Sequence, residues 1–331
     1  MKKTLILALA CSAVFTADAA EKKRVIVCTV TTGFRHGSIP YAEKTLEKLA
    51  AESGAYEVVD FARQPDVNVP KKPSKPNPPK PDADDKAKAK YEADLKKYDE
   101  AIAKWGPEQD AELTKAQTAF SDQLKVSMAK LSPDNLKSKK IDAVIFANTT
   151  GRDFPLPDRA GFVKWVEDGG AFVGMHSATD TFNEWEGYHG MLQGTFAGHG
   201  AQVPADLVAA DTAHPANGGI GEKWDLKEEE MYLIKNHERA KARELWFLRH
   251  HPNKTEEAGF FPVSWCRNHG KGRVFYTSLG HREDLWSDDP ALKGRKNSIE
   301  TSKQYQKHIL GGIKWALGLE KGDATPNPEV K

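Results

Sequence analysis

The sequence predicts an α/β fold on a mostly parallel sheet, and three observations support this prediction. Between residues 24 and 61, a strand, a loop and an amphipathic helix lead into a second strand, which is how a parallel sheet begins. The later segment Ala171–Gly174 is short and wholly apolar, as is typical of a strand covered on both faces. Helical runs alternate with such strands, so a doubly wound, flavodoxin-like sheet is expected.

The first half of the chain supplies the opening elements of this core. Ser38 and Pro40 indicate the start of a helix that ends at Gly54, because proline suits the first turn and glycine the position after the last. Ser132-Pro133 marks a further helix start. The predicted strands are 24–30, 56–61 and 141–147.

Residues 65–123 interrupt the pattern and are predicted to be an insertion. Segment 70–81 is rich in proline and lysine, which indicates an extended, solvated linker. Runs 84–105 and 108–131 are charged and alanine-rich, and the spacing of the apolar residues in the first run predicts a helical hairpin. The insertion is either a solvated spacer or a partner-binding element.

The second half begins with a predicted helix, 159–167, and becomes strand-rich beyond Gly200, which indicates antiparallel additions to the sheet. A closing amphipathic helix is expected at 302–317, and the core domain therefore spans 24–319 with a polar tail at 320–331. The predicted late strands are 202–209, 244–250, 261–267 and 273–279.

The amino terminus is predicted to be a secretory signal peptide over residues 1–20. Two lysines precede an apolar run, and small residues follow it, with cleavage expected near Ala19 or Ala20. The chain is therefore expected to be exported, to the periplasm or beyond. A lipid anchor at Cys11 is a weaker alternative, because the apolar run before it is short. No later segment is long and apolar enough to be an integral membrane span.

Neither the charge balance nor the motifs of the sequence indicate a nucleic-acid, membrane or nucleotide partner. The 48 Lys and Arg nearly balance the 47 Asp and Glu, so charge gives no argument for nucleic acid or an anionic membrane. No P-loop and no G-x-G-x-x-G follow the first strand, so a nucleotide cofactor is not expected. Cys28 and Cys266 lie in apolar strand-like runs, which favours buried free thiols, although export would allow one disulfide.

The segment 169–178 predicts a strand-to-helix elbow. Two glycines stop a helix, a short buried strand follows, and a tight turn then presents one polar side chain. Many α/β enzymes hold their nucleophile in such a turn. Here the position is His176, and Ala178 replaces the last glycine. An imidazole is unsuited to ordinary acyl transfer, but it can act as a base, orient a substrate or bind a metal.

Six segments in order resemble blocks of the ThuA-like (trehalose utilisation) family. They are VCTVTTGFRHGSIP (27–40), ANTTG (147–151), GAFVGMH (170–176), DTAHP (211–215), EEMY (229–232) and GRVFYTSLGH (272–281). The resemblance implies a class I glutamine amidotransferase-like fold with His176 in place of the nucleophilic cysteine. It also implies a link to trehalose, related disaccharides and their 3-keto derivatives. The insertion, Gly200 and Glu229 depart from the family pattern.

The candidate catalytic residues are His176, Asp180, His36 and His281. The strands of a doubly wound sheet end at one crevice, which is expected to gather His36, Thr149, His176 and His281. Asp180 lies four residues after His176, so on a helix it would orient the imidazole; alternatively it caps a short helix. The three histidines are also candidate ligands of a divalent metal, but no H-E-x-x-H motif makes a cofactor certain.

A carbohydrate is the expected small-molecule partner. Trp185, Tyr188 and Trp286 are candidates for stacking on a sugar ring, although core packing is the commoner role of such residues. The candidate substrate-binding residues are Arg35, Thr149, Trp185, Tyr188, His199, Glu230 and Tyr232.

Two functions follow. One is an exported enzyme, without amidotransferase activity, that acts on a sugar or glycoside derivative, for example by taking a proton next to the keto group of a 3-keto-sugar. Hydrolysis by two carboxylates fits less well, because no acidic pair is evident at the crevice. The alternative is a non-catalytic carbohydrate-binding or partner-binding protein on the same scaffold.

Overall fold

A computed structural model describes residues 21–152 and 154–330, so the predicted signal peptide lies outside the described residues. The strands are β1 Lys23–Cys28, β2 Tyr56–Ala62, β3 Ala143–Ala147, β4 Ala171–Met175, β5 Thr195–His199, β6 Val203–Ala209, β7 Lys223–Glu229, β8 Tyr232–Lys235, β9 Arg243–His251, β10 Lys254–His269 and β11 Gly272–Thr277. The helices are α1 Ile39–Ser53, α2 Asp85–Ile102, α3 Pro107–Ala129, α4 Pro133–Ser138, α5 Arg159–Glu167, α6 Glu186–Leu192, α7 Glu283–Trp286 and α8 Ile299–Ala316.

One sheet organises the fold, with strand order β2-β1-β3-β4-β11-β10-β9-β6-β7. The first five strands in this order pair in parallel, and the last four extend the sheet in antiparallel fashion. A separate two-stranded sheet joins β5 to β8. The order 2-1-3-4 is the flavodoxin-like one, and the α/β prediction with antiparallel additions is confirmed.

Apolar cores cover both faces of the sheet, as a doubly wound fold requires. On one face, α1 and α8 pack against residues such as Val27 and Ile145. On the other, α4, α5 and α6 pack against Ile26, Val144 and their neighbours. Successive residues of β1 and β3 therefore point into different cores, which explains their unbroken apolar sequences.

The insertion consists of an extended segment and two long helices. Residues 63–80 have neither helix nor strand, as expected, but Pro70 is half-buried, and Pro73, Pro76 and Pro79 are half-buried between exposed neighbours. Burial at every third residue is the repeat of a polyproline II helix, so the segment is not fully solvated. The helix α2 buries no side chain completely, whereas α3 continues past residue 123 and buries Leu124 and Met128 in the core.

Both predicted thiols, Cys28 and Cys266, are buried and free, which confirms the first of the two alternatives. Within 21–152 and 154–330, no helix combines the length and apolarity needed to cross a membrane. Strands β5, β7 and β8 were not predicted from the sequence, and they form one side of the site described next.

Candidate functional site

The loops that follow the parallel strands converge at one edge of the sheet. His36 follows β1, Asn148–Gly151 follows β3, His176 follows β4, and His281 lies just beyond β11. Since β1 and β3 are neighbours whose helices lie on opposite faces, this edge is the switch point where doubly wound folds bind ligands.

The predicted elbow is present at His176. Its φ is 49°, in the left-handed region that costs a side-chain-bearing residue about 1–2 kcal/mol. The backbone carbonyl of His176 accepts a hydrogen bond from Tyr276 Oη at 2.7 Å. Nδ1 of His176 lies 2.8 Å from the carbonyl oxygen of Ser278. Because a carbonyl can only accept, Nδ1 carries the proton and Nε2 directs its lone pair into the site.

Three further side chains surround that Nε2 atom. Nε2 of His36 lies 3.1 Å away, the hydroxyl of Tyr232 lies 2.9 Å away, and Glu230 Oε2 lies 3.7 Å away. The same Oε2 is 3.1 Å from Nδ1 of His281. One ligand atom from each of His36, His176, Glu230 and His281 therefore falls within 4.8 Å of the others.

The charge states of these groups follow from burial and from one another. Burial, reinforced by the nearby His281, lowers the pKa of His36 to about 4. Burial likewise lowers the pKa of His176 well below its usual range, and His36 and His281 lower it further. Burial also acts to lower the pKa of His281, but Glu230 and Glu229 outweigh it and raise that pKa. His36 and His176 are thus neutral at neutral pH, with lone pairs available.

This group of side chains fits a divalent transition-metal ion. Ligands about 2.0–2.1 Å from a tetrahedral zinc ion stand roughly 3.3 Å apart, close to the 3.1 and 3.7 Å separations at Nε2 of His176. Nδ1 of His281 is buried and poorly aligned for a hydrogen bond, although Glu230 is near. Three imidazoles and a carboxylate are ligands that zinc and its neighbours accept.

The loop that carries His281 is held by the fully buried Glu229. Its carboxylate accepts hydrogen bonds from three successive backbone N–H groups, those of Gly280 at 3.0 Å, His281 at 2.7 Å and Arg282 at 3.3 Å. Gly280 has a φ of 125°, and a Cβ there would lie 2.7 Å from the Tyr305 hydroxyl oxygen. Burial raises the pKa of Glu229 to about 7.

Asn148 joins the other loops beneath the site. It adopts a φ of 55° at the end of β3, and its buried Nδ2 donates to Ser38 Oγ and to the carbonyl oxygen of Gly280, both at 2.8 Å. Ser38 begins the helix after His36, and Gly280 precedes His281. Asn148 therefore fixes two histidine-bearing loops relative to each other.

A cavity of about 180 Å³ opens onto the cluster. Its polar wall includes Asp180 and His199, and its apolar wall is formed by Phe34 and Phe196. Nδ1 of His199 lies 3.0 Å from Oε1 of Glu230. A larger depression of about 650 Å³ lies over β6, β7 and β9, but it contains no comparable cluster of imidazoles.

Comparison with known proteins identifies the family. A family model described as trehalose utilisation (ThuA) matches residues 24–316. The chain belongs to the ThuA family. Solved structures of ThuA-like proteins from Parabacteroides merdae and Bacteroides uniformis are each 15% identical to it, over 94% of this chain and 99% of theirs, with TM-scores of 0.56 and 0.54. At this identity they support the fold alone. No curated protein matched.

In this ThuA chain, Asp180 does not make the contact expected from its spacing. Residues His176–Asp180 form a 3₁₀ helix, in which a residue four positions after another is rotated about 120° from it. The Asp180 carboxylate instead accepts from Asn183 Nδ2 at 3.1 Å. It does not cap a helix either, since Trp185 precedes α6. Asp180 still lines the cavity, and burial raises its pKa.

Three other predicted residues of the ThuA site lie away from the cavity. Arg35 is exposed and donates to the Thr29 carbonyl oxygen and to Gln64. Thr149 is buried and hydrogen-bonded to Thr181, and its neighbour Thr150 lines the cavity instead. Trp185 borders a separate depression along α5.

The remaining aromatic candidates have core positions, as the alternative interpretation of these residues held. Tyr188 is buried, and its hydroxyl donates to the carbonyl oxygen of Ala178 at 2.8 Å. Trp286 is buried beneath the His281 loop, and its Nε1 donates to the Gly280 carbonyl oxygen at 2.8 Å. Neither is available to stack on a sugar.

The predicted Tyr232 lines the cavity, but two other aromatic residues that line it, Phe34 and Phe196, were not selected as candidates. Phe34 lies within the first family-like block, directly before Arg35 and His36, so its position was a usable signal. Phe196 lies in β5, which the sequence analysis did not predict. The structural roles of Asn148 and Glu229 were also missed, because they depend on contacts with distant loops.

Proposed function

We propose that this ThuA protein is an exported, metal-dependent enzyme that acts on a sugar or glycoside derivative, and that it has no amidotransferase activity. The convergence of three imidazoles and one carboxylate at the base of a cavity supports the proposal most directly. The family description links its members to trehalose utilisation. The apolar segment after Met1-Lys2-Lys3 supports export.

The proposed metal ligands are His36, His176, His281 and Glu230. A divalent ion bound there would polarise a carbonyl or hydroxyl oxygen of the sugar. His36 and His176 suit this role because their lowered pKa values keep them unprotonated at neutral pH. Tyr232, whose hydroxyl donates towards His176, is placed to hydrogen-bond a substrate oxygen in the same space.

Asp180 is the proposed proton acceptor. It faces the cavity without an imidazole partner, and burial raises its pKa towards the range in which a carboxylate accepts protons effectively. In the proposed step, its carboxylate takes the proton from the carbon next to a keto group of the sugar. The electron pair of that C–H bond moves into the new C–C double bond, and the carbonyl π pair moves onto the oxygen.

The elbow argues against amidotransfer. That chemistry needs a thiolate at the position of His176, and both Cys28 and Cys266 are buried in the sheet. Burial raises the pKa of Cys28 to about 12, so this thiol remains protonated and unreactive.

The first experiment measures zinc and other divalent metals in the purified mature protein by elemental analysis. We expect one equivalent in wild type, loss of the ion in His176→Ala, and retention in His250→Ala, a control that removes an exposed imidazole. A metal-free wild type that also fails to bind added zinc would overturn the metal centre.

Deuterium exchange then tests the reaction. NMR would follow incorporation of solvent deuterium next to the keto group of 3-keto-trehalose in D₂O. Wild type should catalyse the exchange, and Asp180→Asn should abolish it while retaining the metal. A protein that binds the sugar but gives no exchange would be a carbohydrate-binding protein instead.

A further inference from the structure

One exposed aromatic ring lies at the mouth of the site. Among the described residues, the exposed large hydrophobic side chains are Phe34, Val126 and Leu319, and Phe34 is 67% exposed. Phe34 alone of the three borders the cavity that contains the histidine cluster. An isolated exposed apolar residue needs no explanation by itself, and Phe34 is distinguished by its place at the entrance of this cavity.

The position of Phe34 is fixed by its surroundings. Its carbonyl oxygen accepts from Thr150 Oγ1 at 2.7 Å, and the Thr32 N–H donates to the carbonyl oxygen of Thr150 at 2.8 Å. The ring stands edge-on to His36, with centroids 4.9 Å apart and planes at 79°. The backbone of Phe34 is therefore held in place, and the ring contacts His36 while most of its surface remains open to solvent.

The cavity behind Phe34 is small. Its volume of about 180 Å³ is below the roughly 300–1,000 Å³ of pockets that enclose drug-sized ligands. Phe196 forms the inner apolar wall and is backed by Tyr232, with ring centroids 4.5 Å apart. One sugar ring with its substituents would fill this space, and any second ring would have to lie outside it, beside Phe34.

We propose that Phe34 forms an outer subsite that stacks on the second ring of a disaccharide, while the first ring occupies the cavity beside the histidine cluster. This inference rests on the proposed function and names the residue that would recognise the second ring of its substrate. The apolar face of a pyranose ring complements an exposed phenyl group, as other flat apolar surfaces do. The outer subsite binds substrate and takes no part in proton transfer.

Calorimetric titration of the zinc-loaded, full-length mature protein with trehalose and with glucose tests the proposal. Wild type should bind trehalose about tenfold more tightly than glucose. Phe34→Ala should weaken trehalose binding by about five- to tenfold and glucose binding by less than about twofold. Phe34→Trp should preserve the preference, and Val126→Ala, a matched exposed control, should behave as wild type.

The outcomes separate the two proposals. Equal affinity of wild type for both sugars, or equal weakening of both by Phe34→Ala, would overturn the outer subsite and leave the sugar site standing. Failure of every variant to bind either sugar, with zinc bound normally, would overturn the outer subsite, and the deuterium-exchange experiment with 3-keto-trehalose would then decide the proposed function separately. Measuring zinc content in each variant excludes loss of the metal as the cause of weaker binding.

Discussion

Replacing Glu229 by glutamine should change how stability depends on pH. Glu229 is completely buried, and burial raises its pKa from 4.5 to about 7. The folded protein therefore retains a proton that the unfolded chain releases between these values. The stability contributed by this group is fully present below pH 4.5 and is lost as the pH rises through 7.

The size of the effect follows from the two pKa values. The titration of this buried carboxyl lowers the free energy of unfolding by about 0.8 kcal/mol at pH 5 and about 3.3 kcal/mol at pH 8, relative to a side chain that does not titrate. Glutamine does not titrate, so Glu229→Gln should gain about 2.5 kcal/mol relative to wild type between these pH values. The variant also loses about 1 kcal/mol at every pH, because its NH₂ group faces the Arg282 N–H that the carboxylate accepts at 3.3 Å.

Urea unfolding of wild type and Glu229→Gln at pH 5 and pH 8 measures this difference. Titrating groups that do not interact with Glu229 cancel between the two proteins, whereas His281, whose pKa Glu229 helps to raise, contributes to the difference. Glu222→Gln is the control, because it removes an exposed carboxylate that water solvates in both states. A stability difference between wild type and Glu229→Gln that stays constant within about 0.5 kcal/mol from pH 5 to pH 8 would refute the reasoning about burial.

Two further predictions concern stability. Burial lowers the pKa of His308 to about 4, so as the pH falls the unfolded chain takes up a proton before the folded protein does, and wild type loses stability. His308→Asn has no such group, and between pH 7 and pH 5 its free energy of unfolding, measured with urea, should fall by about 2 kcal/mol less than that of wild type. An equal loss in both proteins would contradict this. Asn148→Ala should be about 1 kcal/mol less stable than Asn148→Gly in thermal unfolding, because both lose the same hydrogen bonds but only alanine is strained at a φ of 55°. Equal melting temperatures would show that the backbone strain is absent.

The sequence predicted the parallel half of the sheet well, because each of its strands leaves a local signal. Ala171–Gly174 is an apolar run after two glycines, and the structure extends it by one residue, to Met175. Helix 159–167 matches α5 at both ends, since Asp158 caps it and two glycines follow. These elements determine where His36, His176 and His281 lie.

The other side of the site could not be predicted from the local sequence. Strand β7, with sequence KWDLKEE, alternates buried and exposed residues along an antiparallel edge, and its charged residues obscured it. Whether Glu229 and Glu230 were buried or solvated depended on loops that lie about 50 residues further along the chain. The expected Asp180–His176 pairing was wrong because the turn after the elbow is a 3₁₀ helix.

The four proposed ligands come from well-separated parts of the chain, at positions 36, 176, 230 and 281. During synthesis the last of them emerges only after most of the chain, so the cluster cannot assemble until β11 has paired with β4 from the middle of the chain. Such long-range closure is slow in folding. An ion that binds only the finished cluster would add its binding free energy to the native state, so metal supply would affect how much of the newly made chain remains folded.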